Sequence, residues 1–231
     1  MNENLPQNIT KLSRVSDTDN LPAIKYLGAY FDQNLNFKCH ISHISKKLSY
    51  ALYALRQEKN FLPPAALKTL YYSLFHCHLI YAIEIWSNVP DSLLKPLITK
   101  QKAAIRLLAN QSNNAHTESL FKALSILPLQ NLITHAKLKI FYSFHFNTIP
   151  TAFHNTGRTT LEQRHLDGNL QHLINLRNNN DYFPPPARTT LISRFPLFNL
   201  PLLWNNTPDH LKDITNQNSF SSNLKNTFWI I

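Results

Sequence analysis

The apolar residues between positions 38 and 146 recur every three or four positions, which is the spacing of one face of an α-helix. Five helices are predicted: one from about residue 38 to 60, one opened by Pro63-Pro64 and reaching Trp86, one over about 91–109, a short one after Thr117 and one after Pro128. The first helix has its apolar positions on one side, at Ile41, Ile44, Leu48, Leu52 and Leu55. The latter half of the second helix is apolar nearly all round, which predicts that it is the central buried helix.

The two ends of the chain show other patterns. Residues 24–31 are predicted as one short strand, with Gly28 at a bulge or a close backbone approach and Asp32-Gln33-Asn34 as the turn that follows. We expect a polar tail over residues 1–20, a helical domain with its leading strand over 21–146, a Pro/Asn-rich linker or long loop over 147–187, and a C-terminal extension over 188–231. The extension should contain a buried Trp204 and a helix over 219–228. The sequence therefore predicts a mainly α fold, a helical array led by one short β-strand, with an irregular C-terminal third.

The composition limits the classes of function and the cellular compartment that fit this chain. The formal net charge is +10, and eleven basic but only four acidic residues lie between Lys25 and Arg106. A basic excess favours polyanionic partners. Three glycines exclude a glycine-rich phosphate loop, and two cysteines fit a reducing compartment. No apolar run approaches the ~20 residues of a membrane span. We therefore expect an intracellular, soluble protein without a signal peptide, in either the nucleus or the cytoplasm.

The basic residues of the third predicted helix are the first candidates for binding nucleic acid. Lys95, Lys102 and Arg106 fall on one side of this helix at 100° per residue, where they could contact phosphates. Pro96 interrupts the pattern, so the regular helix can start after Lys95. Lys46 and Lys47 point away from the apolar face of the first helix. For both sets the alternative is ordinary solvation of a helix surface.

Histidines, cysteines and aromatic residues give weaker signals. Cys39, His40 and His43 and the run His76-Cys77-His78 could be read as zinc ligands, but consecutive residues of a helix diverge around its axis, so a structural role is favoured. Five aromatic residues could stack on bases, although helical spacing favours core packing for most: Tyr71, Tyr72, Phe75, Tyr81 and Trp86. We predict no metal ligand and no cofactor in this chain.

Five blocks of sequence, taken in order, carry a resemblance to a known family. They are Lys25-Tyr26-Leu27-Gly28 with Phe31-Asp32, Phe37 and His40-Ile41; Leu70-Tyr71 through Trp86; Gln101-Lys102-Ala103-Ala104-Ile105-Arg106; His116-Thr117 through Leu129; and Leu203-Trp204-Asn205 with Pro208. In this order they resemble the reverse transcriptases of non-LTR (LINE-type) retrotransposons related to the Jockey and CR1 elements. Phe37 stands where that family more often has Trp.

The resemblance implies a position within the polymerase and a partner. The matching blocks would cover the end of the palm, the thumb and the C-terminal extension, so the helical array would be thumb-like. The palm aspartates that hold Mg²⁺ match nothing here, because the chain has no two adjacent acidic residues. We therefore expect no catalytic residue and no polymerase activity in this chain alone. The expected partners are RNA or an RNA–DNA duplex, together with a palm and fingers region encoded upstream or separately.

Two other interpretations of the same resemblance stay open. The sequence could be a truncated gene model of a complete reverse transcriptase, in which case the intact protein is an enzyme. It could also be an inactive relic of a transposon, or a helical domain used for contacts with other proteins. The transcript sequence upstream of Met1 would separate the first of these from the others.

Overall fold

A computed structural model describes residues 23–150, 182 and 196–229. The protein is mainly helical, which confirms the predicted fold class. The predicted tail over 1–20, residues 151–181 and 183–187 of the predicted linker, and residues 188–195 lie outside the described residues. The elements in chain order are β1 (Ile24–Tyr26), β2 (Ala29–Phe31), α1 (Lys38–Glu58), α2 (Pro64–Tyr71), a π-helical segment (Tyr72–His76), α3 (Cys77–Ile80), α4 (Ile83–Trp86), α5 (Asp91–Leu108), α6 (Glu118–Leu124), α7 (Leu129–His145), α8 (Pro196–Asn205), α9 (Asp209–Lys212) and α10 (Gln217–Thr227).

The leading strand is a two-stranded antiparallel hairpin, so the prediction of one strand over 24–31 was wrong. Strands β1 and β2 pair with Ile24 opposite Phe31 and Tyr26 opposite Ala29. The loop between them is Leu27-Gly28, and both residues have positive φ, 45° and 82°, as in a type I′ turn. A Cβ on Gly28 would lie 3.3 Å from the Tyr81 ring. Gly28 therefore marks the hairpin turn and the close approach of a side chain.

The turn into α1 and the buried face of α1 agree with the sequence pattern. The carboxylate of Asp32 accepts hydrogen bonds from the backbone N–H groups of Asn34 (3.1 Å) and Asn36 (2.7 Å). Of the predicted apolar positions, Ile41, Ile44, Leu48 and Leu55 are buried and Leu52 packs against the same core. Helix α1 packs mainly against α5.

The second predicted helix is broken, which corrects the prediction of a continuous buried helix up to Trp86. Helix α2 passes through the π-helical segment into α3, and the chain then breaks at Tyr81 and Ala82, where Ala82 is left-handed with φ 51°. The indole N–H of Trp86 donates to the Tyr81 carbonyl that the break leaves free (2.8 Å). One side of this region is exposed: Ile80, Tyr81 and Ile85 are each 44–50% exposed. The core therefore covers only part of the apolar surface of this region.

Helices α5, α6 and α7 begin close to the predicted positions. Lys95 and Pro96 both belong to α5, so the helix continues through Pro96 although the proline removes one backbone donor. Thr117 precedes α6, but its side chain makes no capping hydrogen bond, so the predicted cap was wrong. Pro128 precedes α7, as predicted.

One buried amide ties these helices together. Gln101 of α5 is 1% exposed. Its Nε2 donates to the Leu127 carbonyl (3.0 Å) and to the Tyr71 hydroxyl (3.4 Å), and its Oε1 accepts from the Leu129 N–H (2.7 Å). The start of α7 is thereby held against α5.

Two hydrophobic clusters meet along α7. Leu129, Ile133 and Ala136 join the larger cluster, which α1 to α6 build. Leu138, Phe141 and Tyr142 join the smaller one with α8, α9 and α10. In the smaller cluster Trp204 is 2% exposed, which confirms it as a core residue. Phe220 and Leu224 of α10 are also buried there and Phe228 packs against them, as the predicted last helix required.

Candidate nucleic-acid interface

The predicted basic residues of α5 divide into two groups. Lys95 and Lys102 are exposed and line a hollow of about 290 Å³ between α5, Phe121 of α6 and the start of α7. Arg106 is half-buried, and its Nε donates to the Ala115 carbonyl (2.9 Å). Arg106 thus holds the loop between α5 and α6, and only the two lysines present free ammonium groups at this hollow.

Two further lysines hold helices together. Lys68 donates to the Leu124 carbonyl at 2.7 Å. Lys100 donates to the Ser45 carbonyl at 2.7 Å and to its hydroxyl at 2.5 Å, and burial lowers the Lys100 pKa. These ammonium groups bond to neighbouring helices, so they add less to an external phosphate surface than the raw charge suggests.

Among the described residues, a group of basic side chains without an ion-pair partner lies on the hairpin, on α1 and on α3. Lys46 and Lys47 are exposed. Burial lowers the His43 pKa, and the charges of Lys47 and Lys25 lower it further, followed by His78 and Lys46. We call this set the hairpin face; its members are Lys25, His43, Lys46, Lys47 and His78.

On the hairpin face, burial is the main cause of the lowered histidine pKa values, and repulsion between like charges adds to it. Burial lowers the His78 pKa and the Lys47 charge adds to the effect. His40, which lies beneath, has its pKa lowered to about 4 by burial, then by His43 and Lys47. In the described part of the chain the only ion pair is Lys212–Asp209, so no described carboxylate pairs with these basic side chains. An anion would relieve this repulsion.

Aromatic side chains lie among these cations. The rings of Tyr30 and His43 are 4.9 Å apart, and the Lys25 ammonium lies 5.9 Å from the centre of the Tyr30 ring. Tyr50 is 76% exposed, and with Lys47 and His78 it lines a hollow of about 330 Å³ between α1 and Leu74. Cations beside exposed rings are the combination that binds phosphates and stacks on bases.

The five aromatic residues named from the sequence have different environments. Tyr71, Phe75 and Trp86 are fully buried. Tyr72 is 39% exposed and Tyr81 is 50% exposed, and the Tyr81 hydroxyl donates to the Leu27 carbonyl. Core packing therefore accounts for three of the five, and Tyr81 anchors the hairpin.

The histidines and cysteines do not converge on a metal position. Among residues 23–150, 182 and 196–229, no group of three His, Cys, Asp or Glu side chains could hold a metal ion. The Cys77 thiol donates to the Ser73 carbonyl at 2.8 Å. Burial, and then the charge of Lys225, lowers the His76 pKa to about 4.

Comparison with known proteins assigns no family. No family model, curated protein or solved structure matches the chain. Within the described ranges no helix is long and apolar enough to cross a membrane. The candidate groups for binding nucleic acid are therefore those of the structure itself: the hairpin face, Lys95 and Lys102 of α5, and the exposed rings beside the hairpin face.

The hairpin face was mostly missed by sequence reasoning. Lys46 and Lys47 were predicted as candidates and His43 lies on the same helix, whereas Lys25 and His78 join them only through tertiary packing. One local signal existed, since His43 and Lys47 are four positions apart on the outward side of a helix.

Proposed function

We propose that this chain is the thumb and C-terminal region of a non-LTR retrotransposon reverse transcriptase. In this proposal it binds RNA or an RNA–DNA duplex without sequence preference and catalyses no reaction by itself. The observation that carries the binding proposal is the hairpin face, where five basic side chains from three elements converge and none is paired with a carboxylate of the described residues. The family assignment rests on the five blocks of sequence.

The geometry favours phosphate contact over base reading. Lysine ammonium groups are point charges that bind phosphates regardless of sequence. Burial is the main cause of the lowered His43 and His78 pKa values, and the positive charge of Lys47 adds to it, so a phosphate beside them would oppose the second effect. Polymerisation would need paired carboxylates for two metal ions, and the sequence has no adjacent acidic residues.

The test is duplex binding at several salt concentrations, measured by fluorescence anisotropy with a labelled RNA–DNA duplex. The variant is Lys46→Glu/Lys47→Glu, and the matched control is Lys122→Glu/Lys139→Glu, which changes the net charge equally at exposed sites on α6 and α7. Each phosphate contact adds about 0.9 to the slope of log affinity against log salt. We expect the hairpin-face variant to lower this slope by up to about 2 and the control to leave it nearly unchanged.

Two results would contradict the proposal. One is undetectable binding of the unmodified chain at low salt. The other is an equal loss in both double variants, which would mean that net charge alone attracts the duplex. Two duplexes of unrelated sequence should bind within about twofold of each other, since phosphate contacts carry no sequence information.

A second candidate function is contact with another protein. Tyr26 is 65% exposed, Leu27 is 74% exposed and Phe61 is 83% exposed, and exposed apolar residues of this size favour protein interfaces. Light scattering of the purified chain distinguishes the two candidates. Association that salt strengthens, without duplex binding, would favour protein contact.

A further inference from the structure

The hollow beside Tyr50 adjoins the hairpin face but has a different character. Its volume is about 330 Å³, at the small end of the range for ligand sites. We call it the Tyr50 hollow. The side chains that line it come from α1, the π-helical segment and α3, and none of them is acidic: Lys47, Tyr50, Ala51, Ala54, Leu74 and His78. An aromatic ring and an apolar lining thus lie beside cations.

The Tyr50 ring is open to a ligand. Tyr50 is 76% exposed, so the protein covers only a small part of it. The Tyr30 ring, by contrast, already has neighbours: the His43 ring lies 4.9 Å from it, centre to centre, and the Lys25 ammonium lies 5.9 Å from its centre. Of these two tyrosines beside the basic side chains, Tyr50 is therefore the one that offers a face for stacking.

The cations beside the hollow belong to the hairpin face. Lys46 and Lys47 are exposed and precede Tyr50 by four and three positions, which makes them its neighbours on the helix surface. Within α1, as the structure describes it, the one acidic residue is Glu58 at the last position, about 12 Å further along the helix axis at 1.5 Å per residue. A chain of phosphates held by the two lysines would therefore pass the hollow without meeting a carboxylate of α1.

These features define the chemistry of the occupant. Stacking on an exposed ring requires a π-face, which every nucleobase has. A base inside a duplex is stacked on its neighbours and must leave the stack before it can reach such a ring, whereas an unpaired base is free to stack. We propose that the Tyr50 hollow binds one unpaired base of a single-stranded overhang, stacked on the Tyr50 ring, while the phosphates beside that base contact Lys46 and Lys47.

This inference rests on the proposed function, because the hairpin face would hold the duplex from which the overhang extends. It adds the form of the substrate: a junction between duplex and single strand should bind more tightly than a blunt duplex. Stacking is tolerant of sequence, so the junction should bind without a preference for one base.

The test compares three labelled probes by fluorescence anisotropy. The first is a blunt RNA–DNA duplex, and the second is the same duplex with an RNA overhang of about five nucleotides, within the site size of single-strand grooves. The third carries the same overhang with abasic sites in place of its bases, so it keeps the phosphates and loses the stacking faces. The overhang with bases should bind at least about fivefold more tightly than the abasic overhang, the lower value for one stacked base.

Three variants locate this effect on the protein. Tyr50→Ala should abolish the difference between the two overhang probes, and Tyr50→Phe should retain it, because stacking does not require the hydroxyl. The matched control is Tyr53→Ala, since Tyr53 is 62% exposed on the same helix and does not line the hollow. The control should retain the difference. Substitutions at exposed sites should leave the melting temperature of all three variants nearly unchanged.

The outcomes separate this inference from the proposed function. Equal affinity for the two overhang probes, with binding of the blunt duplex, would overturn the inference and leave the proposed function standing. A base effect that survives Tyr50→Ala, or that Tyr53→Ala removes equally, would also overturn it. Failure of all three probes to bind would overturn both proposals. If Tyr50→Ala abolishes self-association in light scattering and the unmodified chain shows no base effect, the hollow contacts protein and the inference is wrong.

Discussion

Replacing Gln101 by Met tests whether the buried amide holds α7 against α5. Met has a similar length and no group that can replace the amide, so the Leu129 N–H and the Leu127 carbonyl lose their partners. Each buried group left unpaired costs about 1–3 kcal/mol. The third bond, to Tyr71, is long at 3.4 Å and adds little. The free energy of unfolding should therefore fall by about 3 kcal/mol.

The assay is thermal and urea unfolding followed by circular dichroism. For a chain of this size about 3 kcal/mol corresponds to a fall in melting temperature of about 10 °C. The control is Gln111→Met, since Gln111 is exposed and should change the free energy of unfolding by less than about 0.5 kcal/mol. If Gln101→Met is as mild as its control, the amide does not hold α7 and the reasoning fails.

Two further predictions concern the hairpin and the hairpin face. Gly28→Ala should lower the free energy of unfolding by about 1 kcal/mol or more, and Gly28→Asn should lower it by less. Both side chains would meet Tyr81, but Asn tolerates a φ of 82° better than Ala does. Equal losses in urea unfolding would contradict a backbone origin of the effect. The pKa values of His43 and His78 are lowered in the free chain, and a bound phosphate should raise them. These histidines therefore take up protons when the duplex binds, so the affinity for the duplex should rise as the pH falls from about 7.5 to about 5.5. Anisotropy titrations should show that the rise in duplex affinity with falling pH is flattened in His43→Gln/His78→Gln. The exposed-site control His210→Gln should retain the rise. If the double variant leaves the rise unchanged, these histidines are not at the interface.

Helical periodicity predicted the buried face of α1 because local spacing alone decides it. Ile41, Ile44 and Leu48 recur on one side, and no tertiary contact is needed to see that. The hairpin was missed because its turn is Leu27-Gly28, without the Asn-Gly or Asp-Gly that signals a two-residue loop. The helix breaks at Ala82 without a glycine or proline nearby, so the sequence contains no local signal that predicts the break.

The candidate site was harder to predict than the fold. Arg106 lies on the same side of α5 as Lys102, yet its guanidinium bonds to the Ala115 carbonyl. Lys25, Lys47 and His78 lie on three elements and meet only after the hairpin folds against α1 and α3. Charge counted along a sequence cannot distinguish a cation that holds a loop from one that is open to a ligand.

Helix α7 belongs to both hydrophobic clusters without a break. Its 17 residues span about 25 Å at 1.5 Å per residue. The region around α1 and the region around α10 therefore cannot change their relative orientation unless α7 bends or unwinds. A partner long enough to contact both regions would meet them at a constant separation.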